Sequence, residues 1–163
     1  MQASLPVTVP FEPRDLDRCE IIRRHQHDPY APTTAFLDLV RETKHFRGAL
    51  PTFNPHHLDA YIATITAGDH VECISVAPAF EMLQTNCPDA FTTLHEAPTS
   101  RLFVCDKGQP FGVCQCDDTA VILSYDENMT INTLMTAPGS CRSVVTWVTE
   151  HYETRKQAAV PYE

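Results

Sequence analysis

The sequence predicts a mixed α/β fold: a strand–helix–strand unit, then an antiparallel β-meander, then a long C-terminal helix. Three observations predict it. A capped helix with one apolar face lies between two β-rich apolar runs within residues 45–79. From residue 100 onward the apolar residues follow a period of two, which is typical of strands. After residue 137 the apolar spacing returns to that of a helix.

The first 30 residues predict an extended N-terminal arm or connector. Prolines that keep this segment extended or turning stand at Pro6, Pro10, Pro13 and Pro29. Within it, the run from about Cys19 to Arg23 predicts a short strand. The rest of the chain, residues 31–163, is long enough to form a single α/β domain with its own core.

The strand–helix–strand unit follows a first helix, which "TTAFLDLVRETKHF" predicts over residues 33–44. The strand "HFRGALP" leads to a second helix that Asn54 caps, with Pro55 in its first turn and Gly68 at its end. "HVECISVAP" then predicts a strand parallel to the first, reached by a right-handed crossover. A shorter helix is predicted for "PAFEMLQTN".

Four short runs separated by turn-forming residues come next: "RLFVCD", "PFGVCQC", "TAVILSYD" and "TINTLMT". We predict that all four pair as an antiparallel meander. The final run, "PGSCRSVVTWVTEHYETRKQAA", predicts a long helix that covers the sheet. The side chains predicted to form its sheet-facing stripe are Cys141, Val144 or Val145, Val148 and Tyr152.

The composition is that of a globular domain, with 163 residues of which 43% are hydrophobic and 20% are charged. The formal net charge is −9, so we expect no direct binding to nucleic acid. The sequence contains neither an 18-residue apolar run nor a signal-peptide start, which predicts a cytoplasmic protein without membrane contact. Seven irregularly spaced cysteines favour reduced thiols over a disulfide framework.

Cys114 and Cys116 share one face of a predicted strand, which raises the question of a metal site. Structural zinc sites present four ligands, usually as two close pairs, and this pair has no matching second pair in the sequence. Two histidine pairs, His25 with His27 or the adjacent His56 and His57, could complete a site only if the fold brought them to the cysteines. We therefore predict no metal and no cofactor, and interpret the two thiols as small core hydrophobes.

Enzyme signatures are weak in this sequence. "HEAPT" lacks the second histidine of a zinc protease, no G-x-S-x-G is present, and a chain with 5 glycines has no glycine-rich phosphate loop. A cysteine–histidine pair could still assemble in space, because the chain has 7 cysteines and 8 histidines. We do not predict an enzyme, and a small cysteine- or metal-dependent enzyme on an α/β scaffold stays as the alternative.

A ligand is expected beyond the carboxyl ends of the parallel strands, where loops converge in α/β sheets. The residues predicted to bind it are Phe53, Ser75, Cys105 and Tyr125. Each also has a structural interpretation. Phe53 could staple the following helix, and Ser75 could face a neighbouring helix. Cys105 could lie in the core, and Tyr125 could be an aromatic at the solvent rim.

The order of these segments resembles one family. The carrying stretches are "DPYAPTTAFLDLVRE", "RGALPTFNPHHLDAYIATITAGDHVECISV", "RLFVCDKGQPFGVCQCDDTAVILSYDEN" and "WVTEHYETRKQAA". Over about residues 14–159 the chain resembles the C-terminal sensor domain of archaeal winged-helix transcription regulators of the methanogenesis-regulator (FilR) type, which are numerous in haloarchaea.

The resemblance implies a phospholipase-D-like sheet. The H-x-K-x4-D motif of true phospholipases is not found, and this implies binding without catalysis. Family members place a DNA-reading winged helix before this domain, and no such module is found in these 163 residues. We therefore expect a stand-alone domain that binds an unknown small-molecule effector or another protein. It would act with a winged-helix partner or as a dimer and would not bind DNA by itself.

The final helix carries apolar side chains beside its predicted sheet-facing stripe. Val144, Trp147 and His151 extend the apolar surface to a second face, so we predict a homodimer in which this face meets a second copy. Trp147 would anchor that contact. The alternative is that Trp147 packs inside its own chain.

Overall fold

The computed structural model describes residues 13–163, which form eight strands and five α-helices. The strands are β1 (Glu20–Arg23), β2 (His45–Ala49), β3 (His70–Val76), β4 (Ser100–Cys105), β5 (Phe111–Cys116), β6 (Thr119–Tyr125), β7 (Ile131–Ala137) and β8 (Val160–Pro161). The helices are α1 (Ala31–Glu42), α2 (Leu58–Thr66), α3 (Ala77–Asn86), α4 (Pro88–Glu96) and α5 (Arg142–Gln157). All strands join one mixed sheet in the order β1-β7-β6-β5-β2-β3-β4-β8.

The predicted strand–helix–strand unit is confirmed as β2, α2 and β3. The two strands run parallel, with Phe46 opposite Val71. The Asn54 side chain accepts a hydrogen bond from the His56 backbone N–H at 2.9 Å, and a single 3₁₀ turn then leads into α2. The chain leaves α2 through Gly68, whose φ of 85° is readily adopted only by glycine.

The prediction of a four-stranded meander is wrong in its first strand. β4 lies parallel to β3, with Phe103 opposite Ile74, because the consecutive helices α3 and α4 form a second crossover. Sequence reasoning did not identify α4. The meander therefore has three strands, β5 to β7, and β5 pairs antiparallel with β2 on the side away from β3. The mixed α/β class and the long C-terminal helix are confirmed.

Helices cover both faces of the sheet and create two cores. The first four helices pack on one face around Phe36, Tyr61 and Phe80, and α5 packs on the other through Val148 and Tyr152. Alternate residues of the central strands supply the two cores, as the period of a strand requires. In the described residues no helix combines the length and apolarity needed to cross a membrane.

The two edges of the sheet are formed by the ends of the described chain. The short strand predicted near Cys19 is β1, which pairs antiparallel with β7. At the opposite edge β8 pairs with β4, and Tyr162 continues the contact by donating its N–H to the Leu102 carbonyl at 2.9 Å. Residues 1–12 of the predicted arm lie outside the described residues, and the domain boundary at residue 30 stays a prediction.

Gly48 in β2 lies between two core cysteines, Cys114 of β5 and Cys73 of β3, on the face covered by the first four helices. The Phe46 ring folds over it. A Cβ atom at position 48 would lie 2.8 Å from two Phe46 ring atoms and 3.2 Å from the Cys114 sulfur. Glycine therefore lets a large aromatic ring lie flat against the middle of the sheet.

We predict that Gly48→Ala lowers the free energy of unfolding by about 1–3 kcal/mol, because the added methyl overpacks a buried site. Chemical denaturation of the two proteins measures this difference. Gly108→Ala is the matched control. Its added Cβ would meet only Val76, at 3.8 Å, so its effect should stay within about 0.5 kcal/mol. Equal effects of the two substitutions would contradict a packing role for Gly48.

Candidate functional site: a polar cleft on the sheet

Phe53 and Tyr125, both predicted to bind a ligand, line the same cavity at the carboxyl edge of β2. Phe53 is 3% exposed and packs against the rings of Tyr61 and Phe80. The cavity measures only about 10 Å³, which is the space of a single water molecule at most. The structure therefore brings these two residues together without leaving room for a ligand, and their binding role stays a prediction.

Ser75 and Cys105, the other two predicted ligand residues, are also buried and adjacent. The Ser75 hydroxyl donates to the Leu50 carbonyl at 2.7 Å, and the Cys105 thiol donates to the Ser75 carbonyl at 3.6 Å. The Arg155 guanidinium donates to the Cys105 sulfur at 3.0 Å. Hydrogen bonds within the chain thus satisfy both side chains, and their binding role also stays a prediction.

The segment 106–110 crosses the carboxyl edge of the parallel strands, because it leads from β4 to β5 past the ends of β2 and β3. The Gln109 side-chain amide donates to the Ala49 carbonyl at 3.0 Å, and its oxygen lies 2.9 Å from the His151 Nε2. Arg155 donates to the carbonyl of Lys107. The edge where a ligand was expected is therefore closed by the chain itself.

The predicted dimer face of α5 is divided between interior and surface. Val144 is fully buried against the sheet, while Trp147 and His151 are half-buried. The Trp147 and His151 rings lie 5.3 Å apart, and both contact Phe111 of the same chain. Burial, together with the nearby Arg155, lowers the pKa of His151. Trp147 thus packs within its own chain, and the homodimer stays a prediction.

The cysteines and histidines considered as metal ligands lie in different environments. Cys114 and Cys116 are buried in the core on the face of the first four helices, whereas His25 and His27 are exposed after β1. Burial raises the pKa of Cys116 to about 12 and that of Cys114 well above its usual value. Within residues 13–163 no three His, Cys, Asp or Glu side chains could hold a metal ion together.

Four polar residues form a row across the middle of the sheet, on the face that α5 covers. Gln115 of β5 stands opposite Arg47 of β2, Arg47 opposite Glu72 of β3, and Glu72 opposite Arg101 of β4. Sequence reasoning missed this polar row. The available signal was a single Arg, Glu or Gln in each of the four strands, but the alignment of these residues depends on the strand order.

Glu72 is the most buried member of the polar row, with 8% of its surface exposed. One carboxylate oxygen accepts hydrogen bonds from the Tyr152 hydroxyl at 2.8 Å and from the Lys156 ammonium at 2.7 Å. Burial alone would raise the pKa of Glu72, but the hydrogen bonds from Lys156 and Tyr152 outweigh it and hold this pKa below its usual value. Glu72 is therefore ionised at neutral pH.

Arg47 and Gln115 make further contacts with α5. The Arg47 guanidinium donates to Glu153 at 2.5 Å and to the Gln115 oxygen at 3.2 Å, and it lies 4.6 Å above the centre of the Tyr152 ring. Gln115 in turn donates to the Thr149 hydroxyl at 2.6 Å. Burial opposes the charge of Arg47, but the hydrogen bond to Glu153 raises the pKa of Arg47. Three of the four row residues therefore contact α5.

The polar row opens at the amino ends of β2 and β3 into two clefts of about 270 and 420 Å³, which share His45 and Glu72. We call the two together the polar cleft. The smaller cleft is also lined by His70, Val71, Pro98, Thr99 and Arg101. The larger is also lined by Arg47, Gln115 and Asp117.

Two stacked imidazoles stand at the mouth of the polar cleft. The exposed rings of His45 and His70 lie 5.3 Å apart. The Asp117 carboxylate accepts backbone N–H bonds from Lys44 and His45, so its charge is partly satisfied at the start of β2. Arg101 is exposed, and within residues 13–163 it forms no ion pair. The arrangement can donate several hydrogen bonds to one anionic group.

The model of one protein family matches residues 29–158: the middle domain of the methanogenesis regulatory protein FilR1. No curated protein is a significant match to the chain in sequence.

Several solved structures share the fold. TrmBL2, described as an archaeal chromatin protein with a novel mode of DNA binding, superposes with a TM-score of 0.67 at 14% identity; the match covers 96% of this chain but 56% of TrmBL2. NucT from Helicobacter pylori gives 0.67 at 11% identity, over 88% of this chain and 98% of NucT. Nuc from Salmonella typhimurium, a phospholipase D family member, gives 0.64 at 13% identity, over 89% and 99%. The predicted phospholipase-D-like sheet is thereby confirmed.

We predict that Glu72→Gln lowers the free energy of unfolding at pH 7 by about 1–3 kcal/mol, because Lys156 loses its charged partner. The folded-state pKa of Glu72 lies below its unfolded value. Its contribution is therefore present above the unfolded pKa of about 4.3 and is lost as the pH falls through the folded pKa. Denaturation at pH 7 and at pH 3.5 measures this dependence. Between the two pH values the free energy of unfolding should fall less for the variant than for the natural protein.

The matched control for this substitution is Glu153→Gln. Glu153 also pairs with a cation on the same face, Arg47, but its side chain is 44% exposed. Water screens such a pair, so we expect a change of at most about 1 kcal/mol. If Glu153→Gln lowers the free energy of unfolding as much as Glu72→Gln does, burial does not explain the contribution of the Glu72–Lys156 pair.

Proposed function

The chain belongs to the family of the middle domain of the methanogenesis regulatory protein FilR1, and we propose that it is the effector-binding domain of a transcription regulator. The observation that carries this proposal is the polar cleft. It is a concave, polar surface on the sheet, and its residues are held in register by neighbouring strands. Rigid strands position polar groups more accurately than loops do, which suits a binding site.

The effector is a small anion. Arg101 and the His45–His70 pair surround the smaller part of the cleft, and the hydroxyl-bearing Thr99 lies beside them. Glu72 adds little repulsion, because its charge is paired with Lys156. In a chain with a formal charge of −9, this concentration of donors is a local exception. A carboxylate or phosphate group would gain charge-assisted hydrogen bonds from Arg101.

Binding in the cleft would change the position of α5. Arg47 contacts Glu153, and Glu72 contacts both Tyr152 and Lys156, so the floor of the cleft is bonded to the second half of this helix. An anion in the smaller part of the cleft lies beside Glu72 and competes with its carboxylate for Lys156, which weakens one of these attachments. The helix is thus the element whose position depends on whether the cleft is occupied.

The domain would pass this change to a DNA-binding partner or to a second copy, and would not bind DNA by itself. The charge of −9 supports this part of the proposal, since it repels a phosphate backbone. TrmBL2 is described as binding DNA, but the match covers only 56% of that protein. We place such a regulator in the cytoplasm, together with the DNA that it controls.

The domain would bind without catalysis, although the structural relatives include a phospholipase D family member. The H-x-K-x4-D motif is not found in the sequence.

We predict that inorganic phosphate or citrate binds the purified domain and changes the fluorescence of Trp147, the single tryptophan, which lies on α5. Arg101→Ala should weaken this binding about 10- to 100-fold, the effect of losing one charge-assisted hydrogen bond. Arg41→Ala is the control, because Arg41 is an exposed arginine on α1 that does not line the cleft. An equal effect of both substitutions, or no binding at millimolar anion, would contradict the proposal.

We also predict that the domain alone shows no sequence-specific binding to duplex DNA near physiological salt, about 150 mM. A gel-shift titration with increasing salt measures this. A discrete complex of nanomolar affinity that weakens with salt would contradict the prediction. A DNA complex that forms only when a winged-helix protein is added would agree with it.

A further inference from the structure

A second row of residues lies beside the polar row, nearer the amino ends of the parallel strands. His45 of β2 stands opposite His70 of β3. On one side the Asp117 N–H donates to the His45 carbonyl at 3.2 Å, and on the other the Val71 N–H donates to the Thr99 carbonyl at 3.0 Å. Backbone pairing thus continues past the end of β5 and before the start of β4. The outer row, which also lines the polar cleft, consists of Thr99, His70, His45 and Asp117.

The two ends of the polar cleft carry opposite charges. Arg101 lines the smaller part on β4, and Asp117 lines the larger part directly after β5. Because β3 and β2 lie between them, three strand spacings, about 14 Å, separate the backbone at the two positions. The charged residues between them, Glu72 and Arg47, are both paired with α5. The charge that remains for a ligand is therefore positive at one end of the cleft and negative at the other.

The Asp117 carboxylate is held in place and still has acceptor capacity. Asp117 has a φ of 57° in the turn between β5 and β6, a conformation that aspartate tolerates. Its side chain accepts the backbone N–H groups of Lys44 at 3.2 Å and His45 at 3.0 Å. A carboxylate has about four lone-pair positions, so these two donors do not saturate it. Asp117 is exposed and forms no ion pair within residues 13–163, and it can accept a hydrogen bond from a cationic ligand group.

We propose that the small anion bound at Arg101 also carries an ammonium group, which binds Asp117 at the other end of the polar cleft. This inference rests on the proposed function, because it takes the anion site at Arg101 as its starting point. The effector then belongs to the class of amino acids with a long basic side chain and of short peptides. Parts of about 270 and 420 Å³ have the size of small-molecule sites.

The floor between the two charged ends suits the chain that joins the two ligand groups. The exposed rings of His45 and His70 lie side by side with their centroids 5.3 Å apart, so they offer ring surface to an aliphatic segment. A second anionic group in place of the ammonium would meet the Asp117 carboxylate and be repelled. An anion confined to the smaller part, such as phosphate, avoids this repulsion. The cleft thus selects by charge among ligands long enough to cross it.

The test compares three probes of similar length by isothermal titration calorimetry at low salt. Nα-acetyl-lysine carries both charged groups, Nα-acetyl-norleucine lacks the ammonium, and Nα-acetyl-lysine amide lacks the carboxylate. We expect Nα-acetyl-lysine to bind about 3- to 10-fold more tightly than Nα-acetyl-norleucine, the effect of one exposed, charge-assisted contact. The amide should bind more weakly than Nα-acetyl-lysine, because it makes no charged contact with Arg101. An amide that binds as tightly as Nα-acetyl-lysine would overturn the inference.

Two variants show whether Asp117 is the group that recognises the ammonium. Asp117→Asn keeps an oxygen for the N–H groups of Lys44 and His45 but removes the charge, so it should abolish the preference for Nα-acetyl-lysine over Nα-acetyl-norleucine. Asp118→Asn is the matched control, since Asp118 is exposed in the same turn and does not line the cleft. Circular dichroism verifies that both variants fold.

The outcomes separate this inference from the proposed function. Equal binding of Nα-acetyl-lysine and Nα-acetyl-norleucine to the natural protein would overturn the inference and leave the anion site at Arg101 standing. An equal loss of preference in Asp117→Asn and Asp118→Asn would do the same, because the effect would then come from net charge alone. Binding of neither probe at millimolar concentration would overturn both the inference and the proposed function.

Discussion

The ionised carboxylate of Glu72 is the constraint on which the arrangement of this domain depends. It lies near the middle of β3, an interior strand of the sheet, on the face that α5 covers, where an unpaired charge would be very costly. The Tyr152 hydroxyl and the Lys156 ammonium both satisfy it from the same helix. The helix thus cannot slide along the sheet without leaving that charge unpaired. Apolar packing would hold α5 on the sheet, whereas Glu72 fixes its register.

The insertion of β5 beside β2 decides which end of the parallel strands stays open. Because β4 and β5 lie on opposite sides of β2 and β3, the segment between them crosses the carboxyl edge and fills it. The amino edge carries no such crossing segment among the described residues, and the polar row opens there. The same connection therefore closes the usual ligand position of α/β sheets and leaves a polar surface at the other end.

Local signals predicted most of the elements. Asn54, Pro55 and Gly68 identified the α2 unit, because capping and turn chemistry act over a few residues. The parallel position of β4 and the helix α4 were not predicted, since strand partners are chosen by packing between distant segments. The polar row was missed for the same reason: Arg47, Glu72 and Arg101 become neighbours only in the correct strand order. In the sequence these three charged residues lie on separate strands, and nothing local indicates that they form one surface.

The strand β8 at the outer edge of β4 bears on how this sheet behaves at high concentration. An uncovered edge strand presents free N–H and carbonyl groups that can recruit a strand from another molecule. Here the edge is occupied by two residues, the second of which is Pro161, and proline has no N–H to offer the next strand. Tyr162 then packs against Phe80 and Phe91 and holds β8 in place along β4. Growth of the sheet from molecule to molecule, the route to fibrous aggregates, is blocked on this side by two residues and one aromatic ring.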